Sequence, residues 1–462
     1  MVVVLHNLID LSIMVLSKFK FNTFLCFLLP LAIGLTFPLQ VIYGSSMAGA
    51  ASLILLLFII LVSLFNKRNY RICLSKNKRF AIWDWFVAAF ICLSFLNICI
   101  SWLLLGVDSF ISFLPPVFLV MQASMIYIYF SRMASKRIIN SFLAGMVAMG
   151  LISGVFFVYE SFNKLALGKI TKYTQMAHEY SRASPNAKPT ENPIRIHINY
   201  RSFGLLERNS TSAIWMIFGF FAYSFLATKP SKIQNVYVFT LIALLIAQNF
   251  TSIFVFLFVG LLVQKGIIKF RTMFNAVLFL TLPLIFINFD NIKFFLEAAS
   301  HFTQSNLMTA FTITTEIIGT SYFSLVLWEF ARYGRELVNF PHQLLIGFGL
   351  GFKPTYGTSG DVGFMESIMR LGLPLWMLFT WHIVGLLKRA VLSIKSHNYH
   401  IWKNYDVRLM VTSAAILSSI WLMDLHYTTW IHKSVFPILF FALALARRIN
   451  SHTLGQNVFA ST

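Results

Sequence analysis

The chain has 462 residues, of which 58% are hydrophobic and only 11% are charged, whereas soluble domains carry roughly 25% charged residues. This composition, with 49 Phe and a mean hydropathy of +0.73, predicts a polytopic membrane protein and argues against a soluble enzyme with a single anchor. The formal net charge of +21 raises the question of a nucleic-acid partner. The basic residues cluster in short segments between apolar stretches, where membrane topology requires them, so no nucleic-acid partner is expected.

Apolar stretches recur along the whole chain at the length of membrane spans. A membrane helix needs about 20 apolar residues to cross a hydrocarbon core about 30 Å thick. Twelve stretches predict an all-α polytopic fold that forms a single integral membrane domain over residues 1–462. The predicted spans lie near 21–42, 46–65, 82–105, 108–130, 138–159, 210–228, 235–249, 250–264, 272–289, 363–387, 408–423 and 432–446. The two stretches around 250 are short, and one bent hairpin is an alternative to two spans there.

The basic residues predict the orientation of these spans. Segments rich in Lys and Arg, from Lys67 onward and ending with Arg447 and Arg448, all fall on one side if there are twelve spans. Positive residues mark the cytoplasmic side, so both termini are predicted to be cytoplasmic. Two long loops then lie outside, over 160–209 and 290–362, and long connections of this kind are usually functional.

The first outside loop ends with arginines close to the start of a helix. Arg201 and Arg208 precede Asn209-Ser210-Thr211, which opens the next span. Arginine offers a planar fork of donors, and a helix N-terminus offers free N–H groups, so the pattern suits a phosphate group. A simpler interpretation is that Asn209 or Ser210 only caps the helix, and the two interpretations are compatible.

The second outside loop contains a predicted amphipathic helix over residues 321–338. Its polar face carries Arg332, with Arg335 beside it, and glutamates at helical spacing. These charges form either a surface ladder of ion pairs, worth a few tenths of a kcal/mol per pair, or a second anion site.

A glycine-rich segment follows and leads into the tenth span. Asp361 lies at the mouth of this span, where an acid is costly unless it is solvated or paired, so it is a candidate site residue. Glu366 and Arg370 follow inside the span at a spacing of four residues, which predicts that they neutralise each other.

The last outside loop, residues 424–433, is short and polar. His426 is either a structural histidine or a general base near neutral pH. The chain has no Walker A sequence, no G-x-S-x-G, no H-E-x-x-H, no C-x-x-C and no Asp-x-Asp. These absences argue against a nucleotide-driven pump, a metalloprotease and a nucleotide-sugar transferase, and neither a metal nor a cofactor is expected.

Three segments and the twelve-span layout resemble the Wzy-type O-antigen polymerases and, more distantly, the O-antigen ligases. The segments are Arg201-Ser-Phe-Gly204 through Arg208-Asn209, then Leu344-Leu-Ile-Gly347-Phe-Gly349 with Asp361-x-Gly363-Phe364 and Leu371-Gly372-Leu373-Pro374, and finally His426-Tyr427. The chain departs from the family at 248–252, where many relatives carry a Ser-Arg pair. Ligases tend to have a His-Asn or His-Ser pair where this chain has Asp361-Val362, which favours a polymerase.

The resemblance implies glycosyl transfer at the periplasmic face of a bacterial inner membrane. The donor would be a glycan on undecaprenyl pyrophosphate, and the acceptor would be the terminal sugar of another lipid-linked repeat unit. A chain-length regulator and a flippase are possible partners, besides membrane lipid. The expected catalytic residues are Asp361 and His426, the expected pyrophosphate-binding residues are Arg201, Arg208, Arg332 and Arg335, and the expected sugar-binding residues are Tyr200, Tyr356, Tyr427 and Trp430.

Two other functions remain open at this point. A ligase would share the chemistry but would transfer the glycan to lipid A-core. A lipid-linked oligosaccharide flippase would show inverted repeats, broken helices in matching halves and charge near the bilayer midplane. The sequence shows no internal repeat, and its candidate charges lie at the predicted outer surface.

Overall fold

The regular elements of this computed structural model are helices throughout the described part of the chain. That part comprises residues 21–43, 48–65, 82–105, 114–167, 171–182, 204–206, 209–227, 230–247, 249–263, 343–347, 363–397, 404–424 and 429–459. The helices are α1 Phe21–Gly34, α2 Thr36–Tyr43, α3 Ala48–Phe65, α4 Ile82–Leu105, α5 Leu114–Ile128, α6 Lys136–Leu167, α7 Lys172–Arg182, α8 Asn209–Leu226, α9 Pro230–Ile246, α10 Phe250–Val263, α11 Gln343–Ile346, α12 Gly363–Leu371, α13 Leu373–His397, α14 Tyr405–Met423 and α15 Phe436–Phe459. The predicted all-α class is therefore confirmed for these residues.

Within the described part of the chain, fewer helices qualify as membrane spans than the sequence predicts. Within the described residues, α6, α13 and α14 are each long and apolar enough to cross a membrane, and α1 with α2 qualifies as one bent span. Several other helices, namely α3, α4, α5, α9 and α10, contain shorter apolar stretches, such as Trp83–Leu93 in α4. These helices indicate a membrane protein, while the count of twelve spans stays a prediction.

The predicted first span is bent by 60° between α1 and α2. Pro38 lies four residues after Gly34. Proline has no N–H to donate to the carbonyl of residue i−4, and its ring crowds that carbonyl, so a helix bends one turn before it. The backbone hydrogen bonds from Leu35 to Leu31 and from Leu39 to Leu35 remain, at 2.8 and 3.0 Å, so the chain stays helical on both sides of the bend.

Helix α6 lies at the centre of the bundle and packs closely against α1 and α8. Glycines permit this approach, because a Cβ atom on Gly145 would lie 2.2 Å from the carbonyl oxygen of Phe27 in α1. On the side facing α8, a Cβ on Gly150 would lie 2.9 Å from the Cα of Gly219. Small residues at helix contacts are typical of membrane proteins, in which van der Waals packing holds the helices together.

The tenth predicted span, 363–387, is wrong as a single helix. It is divided into α12 and α13 at Gly372, whose φ is +78°. This left-handed conformation ends a helix readily at glycine, and Pro374 then occupies an early position of α13, where its missing N–H costs little.

Two arginines that the sequence analysis assigned only to topology have specific partners. The side chain of Arg447 is 1% exposed and lies 3.2 Å from the carboxylate of Asp84 in α4. Arg448 donates to the carbonyl oxygens of Phe130 and Ala134, at the end of a short π-helical turn, Tyr129–Met133. These contacts hold α15 against α4 and against the π-helical turn that follows α5, at the predicted cytoplasmic end.

The predicted outside loops are described only in part. In the first, 160–209, α6 continues to Leu167 and is followed by α7, so this stretch contains helical structure. In the second, 290–362, the described residues are 343–347, which include α11. The predicted span 272–289 and the predicted amphipathic helix 321–338 lie outside the described residues.

Candidate functional site: a polar cluster at one end of the bundle

Of the ten site residues predicted from the sequence, Trp430 is the one that lies within the described part of the chain. The other nine lie outside the described residues, namely Tyr200, Arg201, Arg208, Arg332, Arg335, Tyr356, Asp361, His426 and Tyr427. Their described neighbours along the chain nevertheless define where each of three predicted segments attaches to the bundle.

Glu160 fixes the end of the first predicted loop. It lies near the end of α6 and is fully buried. One carboxylate oxygen accepts a hydrogen bond from the backbone N–H of Gly204 at 2.9 Å, and the other accepts from the hydroxyl of Thr174 in α7. A single acid therefore joins α6, α7 and the turn at residues 204–206.

Two further hydrogen bonds hold the turn at residues 204–206 in place. The Tyr173 hydroxyl donates to the carbonyl oxygen of Leu205, and the N–H of Leu206 donates to the Ser212 hydroxyl at 2.8 Å. Burial, and then the charge of Glu160, raise the pKa of Tyr173 above its usual range, so this hydroxyl stays protonated and remains a donor.

Gly204 is required at this turn. Its φ is +85°, and a Cβ there would lie 2.5 Å from the Ser212 hydroxyl oxygen and 2.9 Å from the ring of Phe157. Arg201 and Arg208 stand three residues before and two residues after the fixed turn in the sequence. The turn thus anchors the stretch of chain that carries both predicted arginines.

Asn209 joins the start of α8 to the hairpin between α9 and α10. Its amide donates to the carbonyl oxygen of Ala247 at 3.0 Å, and its oxygen accepts from the side-chain amide of Asn249 at 2.6 Å. Asn249 also accepts from the N–H of Ser252 at 3.0 Å, which caps α10. The hairpin lacks the Ser-Arg pair of the resembled family, yet it contacts the segment that carries the predicted phosphate site.

The same hairpin reaches the end of α14. The Ser252 hydroxyl lies 3.4 Å from the sulfur of Met423, and Met423 immediately precedes Asp424. The first predicted segment and the end of α14 are therefore linked through a continuous set of contacts at one end of the bundle.

Asp424 and Ser367 form the centre of this end. The Ser367 hydroxyl in α12 donates to one carboxyl oxygen of Asp424, which ends α14. The indole N–H of Trp430 donates to the same Ser367 oxygen at 2.5 Å. Ser367, within the second predicted segment, thus contacts one residue before the third segment, Asp424, and one residue after it, Trp430.

The environment of Asp424 disfavours a negative charge. Its side chain is buried, and its second oxygen, Oδ1, accepts no well-formed hydrogen bond from the described residues. Burial raises the pKa of Asp424 well above its usual range; the hydrogen bond from Ser367 opposes this rise, and the nearby charge of Glu366 adds to it.

The predicted pairing of Glu366 with Arg370 is confirmed. Their carboxylate and guanidinium groups lie 2.7 Å apart, and both side chains are largely buried. This pair lies on α12, next to the serine that contacts Asp424.

The glycine-rich motif is joined to the break between α12 and α13. Gly347 has a φ of +72°, and a Cβ on it would lie 2.3 Å from the carbonyl oxygen of Arg370. A Cβ on Gly372 would lie 2.4 Å from the carbonyl oxygen of Leu345. The two glycines permit close backbone contact, so the two parts of the second predicted segment pack on each other.

Trp430, predicted to bind sugar, is 3% exposed. Its ring lies 6.2 Å from Phe90 and 6.0 Å from Phe436 between centroids, within an aromatic group behind Asp424. Its indole N–H donates to Ser367, so in this conformation the Trp430 side chain packs inside the cluster.

Sequence reasoning missed Glu160 and Ser367 and did not give Asp424 a role. The signal for the two acids was present, because an ionisable residue at or within a membrane span is by default a candidate for function. Glu160 was assigned to loop because the predicted span ended at residue 159. Ser367 carries no comparable signal, since a serine in an apolar helix is ordinary.

The fold and this cluster define the chain as a helical membrane protein with a buried polar centre at one end of its bundle. Within the described residues, no group of three His, Cys, Asp or Glu side chains is arranged to hold a metal ion. Comparison with protein-family models, with curated proteins and with solved structures gave no match.

Proposed function

We propose that this protein polymerises lipid-linked oligosaccharide repeat units by glycosyl transfer at the periplasmic face of a bacterial inner membrane. The product would be an O-antigen or capsular polysaccharide. In this proposal the chain has twelve spans and cytoplasmic termini, and the polar cluster faces the periplasm. The enzyme is a glycosyltransferase whose leaving group is a lipid pyrophosphate.

One observation supports the proposal more than any other. The described parts of the first two segments that carry the resemblance, and the described residues on either side of the third, lie at the same end of the bundle, although they are separated by up to about 220 residues in the sequence, from Gly204 to Asp424. Contacts through Asn209, Asn249 and Ser252 connect the first segment to Met423, and Ser367 connects the second to Asp424, two residues before the third. Reaction centres are commonly assembled from distant segments in this way.

The proposed chemistry needs few groups from the protein. The hydroxyl of the acceptor sugar loses its proton to a base, and its oxygen forms a bond to the anomeric carbon of the donor. The bond from that carbon to the pyrophosphate oxygen breaks, and the electron pair leaves with lipid pyrophosphate. Fixed positive charge stabilises a leaving group on which negative charge develops.

Arg201 and Arg208 are the proposed partners of the pyrophosphate. The turn at residues 204–206, anchored by Glu160, lies between them in the chain, and α8 begins directly after Arg208. The hydroxyls of Ser210 and Thr211, in the first turn of α8, are buried without hydrogen-bond partners among described residues. Asp361 and His426 remain the proposed candidates for the base, and Tyr200, Tyr356 and Tyr427 for sugar contacts.

A flippase is the second candidate, and one observation favours it. Bent or broken helices are typical of transporters, and the bend between α1 and α2 and the break at Gly372 are of this kind. The described charged cluster lies at the end of the bundle instead of its middle, which favours the polymerase.

A gel of surface polysaccharide tests the proposal in a strain that lacks this protein. The polymerase proposal predicts loss of the long ladder, with a single repeat unit still attached to lipid A-core, and recovery with the wild-type gene. Loss of every repeat from lipid A-core, with polymer accumulating on the lipid carrier, would indicate a ligase. Loss of every repeat from lipid A-core without polymer on the lipid carrier would favour the flippase, and an unchanged ladder would contradict all three functions.

A further inference from the structure

The Ser367 hydroxyl occupies a position that no sequence motif accounts for. It contacts Asp424, the last residue described after α14, and Trp430, near the start of the next described stretch. It belongs to α12, which begins two residues after the predicted base Asp361. The other predicted base, His426, follows Asp424 by two residues in the sequence.

The direction of each hydrogen bond in this network is determined by chemistry. An indole N–H can only donate, so the oxygen of Ser367 accepts from Trp430. The single hydroxyl hydrogen of Ser367 is then free to donate to Asp424 Oδ2. The three side chains form one directed chain, from Trp430 through Ser367 to Asp424, and removing the central hydroxyl breaks both bonds.

Asp424 needs no negative charge to accept this bond. A neutral carboxyl group has one carbonyl oxygen that accepts, as does the side-chain amide of asparagine. The buried site, in which Oδ1 accepts no well-formed hydrogen bond from the described residues, suits a neutral group. Asparagine should therefore replace Asp424 with the network intact, whereas alanine should not.

We propose that Ser367 and Asp424 are positioning residues for the reaction: together with Trp430 they hold α12 and the end of α14 in the relative placement that transfer requires. This inference rests on the proposed polymerase function. Neither residue is assigned contact with substrate. Small displacements of reacting groups can lower rates by about 100-fold without preventing binding, so the network should act on kcat.

The test uses the full-length purified protein in detergent, with lipid-linked repeat units extracted from the strain that lacks it. Elongation rates are measured for Ser367→Ala, Asp424→Ala, the double variant, Ser367→Thr and Asp424→Asn. Ser413→Ala is the matched control, because Ser413 is equally buried, lies in α14 and donates to the carbonyl oxygen of Ala442 at 2.8 Å. Its loss removes one buried hydroxyl remote from the cluster.

Each alanine variant should lower kcat by about tenfold or more with little change in KM, in keeping with lost positioning. The double variant should be no slower than the slower single variant, since both break one network. Ser367→Thr and Asp424→Asn should retain most of the rate, and Ser413→Ala should behave as wild type.

Several results would overturn the inference. The first is that Ser367→Ala has the same kcat as Ser413→Ala. The second is that the alanine variants change only KM. The third is that the kcat losses of the two single variants multiply in the double variant. In these cases elongation by the wild-type protein would leave the polymerase proposal standing. Absence of elongation by wild type would reject the proposed function and this role of Ser367 with it.

Discussion

Breaking the ion pair between Asp84 and Arg447 should destabilise the protein strongly, and the size of the loss should depend on which partner is removed. Both side chains are almost fully buried, at 3% and 1% exposure, where a charge without a partner is costly. Tyr127 donates to Asp84 at 2.8 Å, and Arg132 lies 3.9 Å away. Asp84 thus has further partners, whereas Arg447 has Asp84 as its described carboxylate partner.

The two ends of this pair should therefore respond differently to mutation. Breaking a buried pair by removing one partner costs about 3–5 kcal/mol, because the other charge is left uncompensated. Asp84→Asn leaves the buried guanidinium of Arg447 unpaired and should reach this range. Arg447→Met should cost less, because Arg132 and Tyr127 still face Asp84. The double variant should be more stable than Asp84→Asn alone.

Thermal unfolding of the purified variants in detergent measures the order of their stabilities. Arg389→Met is the matched control, because Arg389 is exposed on α13, and such a surface change should stay within about 0.5 kcal/mol. A double variant whose loss equals the sum of the two single losses would refute the reasoning. So would an Asp84→Asn variant as stable as the control.

Two further predictions concern the polar cluster. Gly372→Ala places a Cβ atom at a φ of +78° and 2.4 Å from the carbonyl oxygen of Leu345. The left-handed conformation alone costs about 1–2 kcal/mol, so the unfolding temperature should fall. Gly385→Ala is the control and should not lower it, because a Cβ there meets nothing within 4 Å. Burial raises the pKa of Asp424, so the folded protein holds the proton of this carboxyl group more tightly than the unfolded chain. The resulting stabilisation of the folded state is full below the ordinary pKa of about 3.9 and is lost as pH rises through the raised pKa. Asp424→Asn should then unfold at a higher temperature than wild type at alkaline pH, with a weaker dependence on pH; equal pH dependence in the two proteins would contradict this assignment.

Much of the helical layout was predictable because apolar runs have a simple length requirement. The predicted spans 46–65 and 82–105 correspond closely to Ala48–Phe65 and Ile82–Leu105. The failure at 363–387 arose from Gly372, whose left-handed backbone divides an otherwise continuous apolar run. Only the close contact with Leu345 shows why the break falls there.

The polar contacts were less predictable, because they join residues far apart in the chain. Asp84 and Arg447 are separated by 363 positions, and no periodic pattern relates them. Basic residues near span ends were assigned to topology, since that explanation needs no partner. The pairing of Glu366 with Arg370 was predictable because a spacing of four places both on one helical face.

The most direct test of the central claim is chain elongation by the purified wild-type protein. Undecaprenyl pyrophosphate-linked repeat units are supplied without nucleotide sugar, and the glycan lengths on the lipid are read by mass spectrometry. The account predicts a series of lipid-linked glycans that differ by whole repeat units, with release of undecaprenyl pyrophosphate. Single repeat units that remain unextended, under conditions in which the protein stays folded, would contradict it.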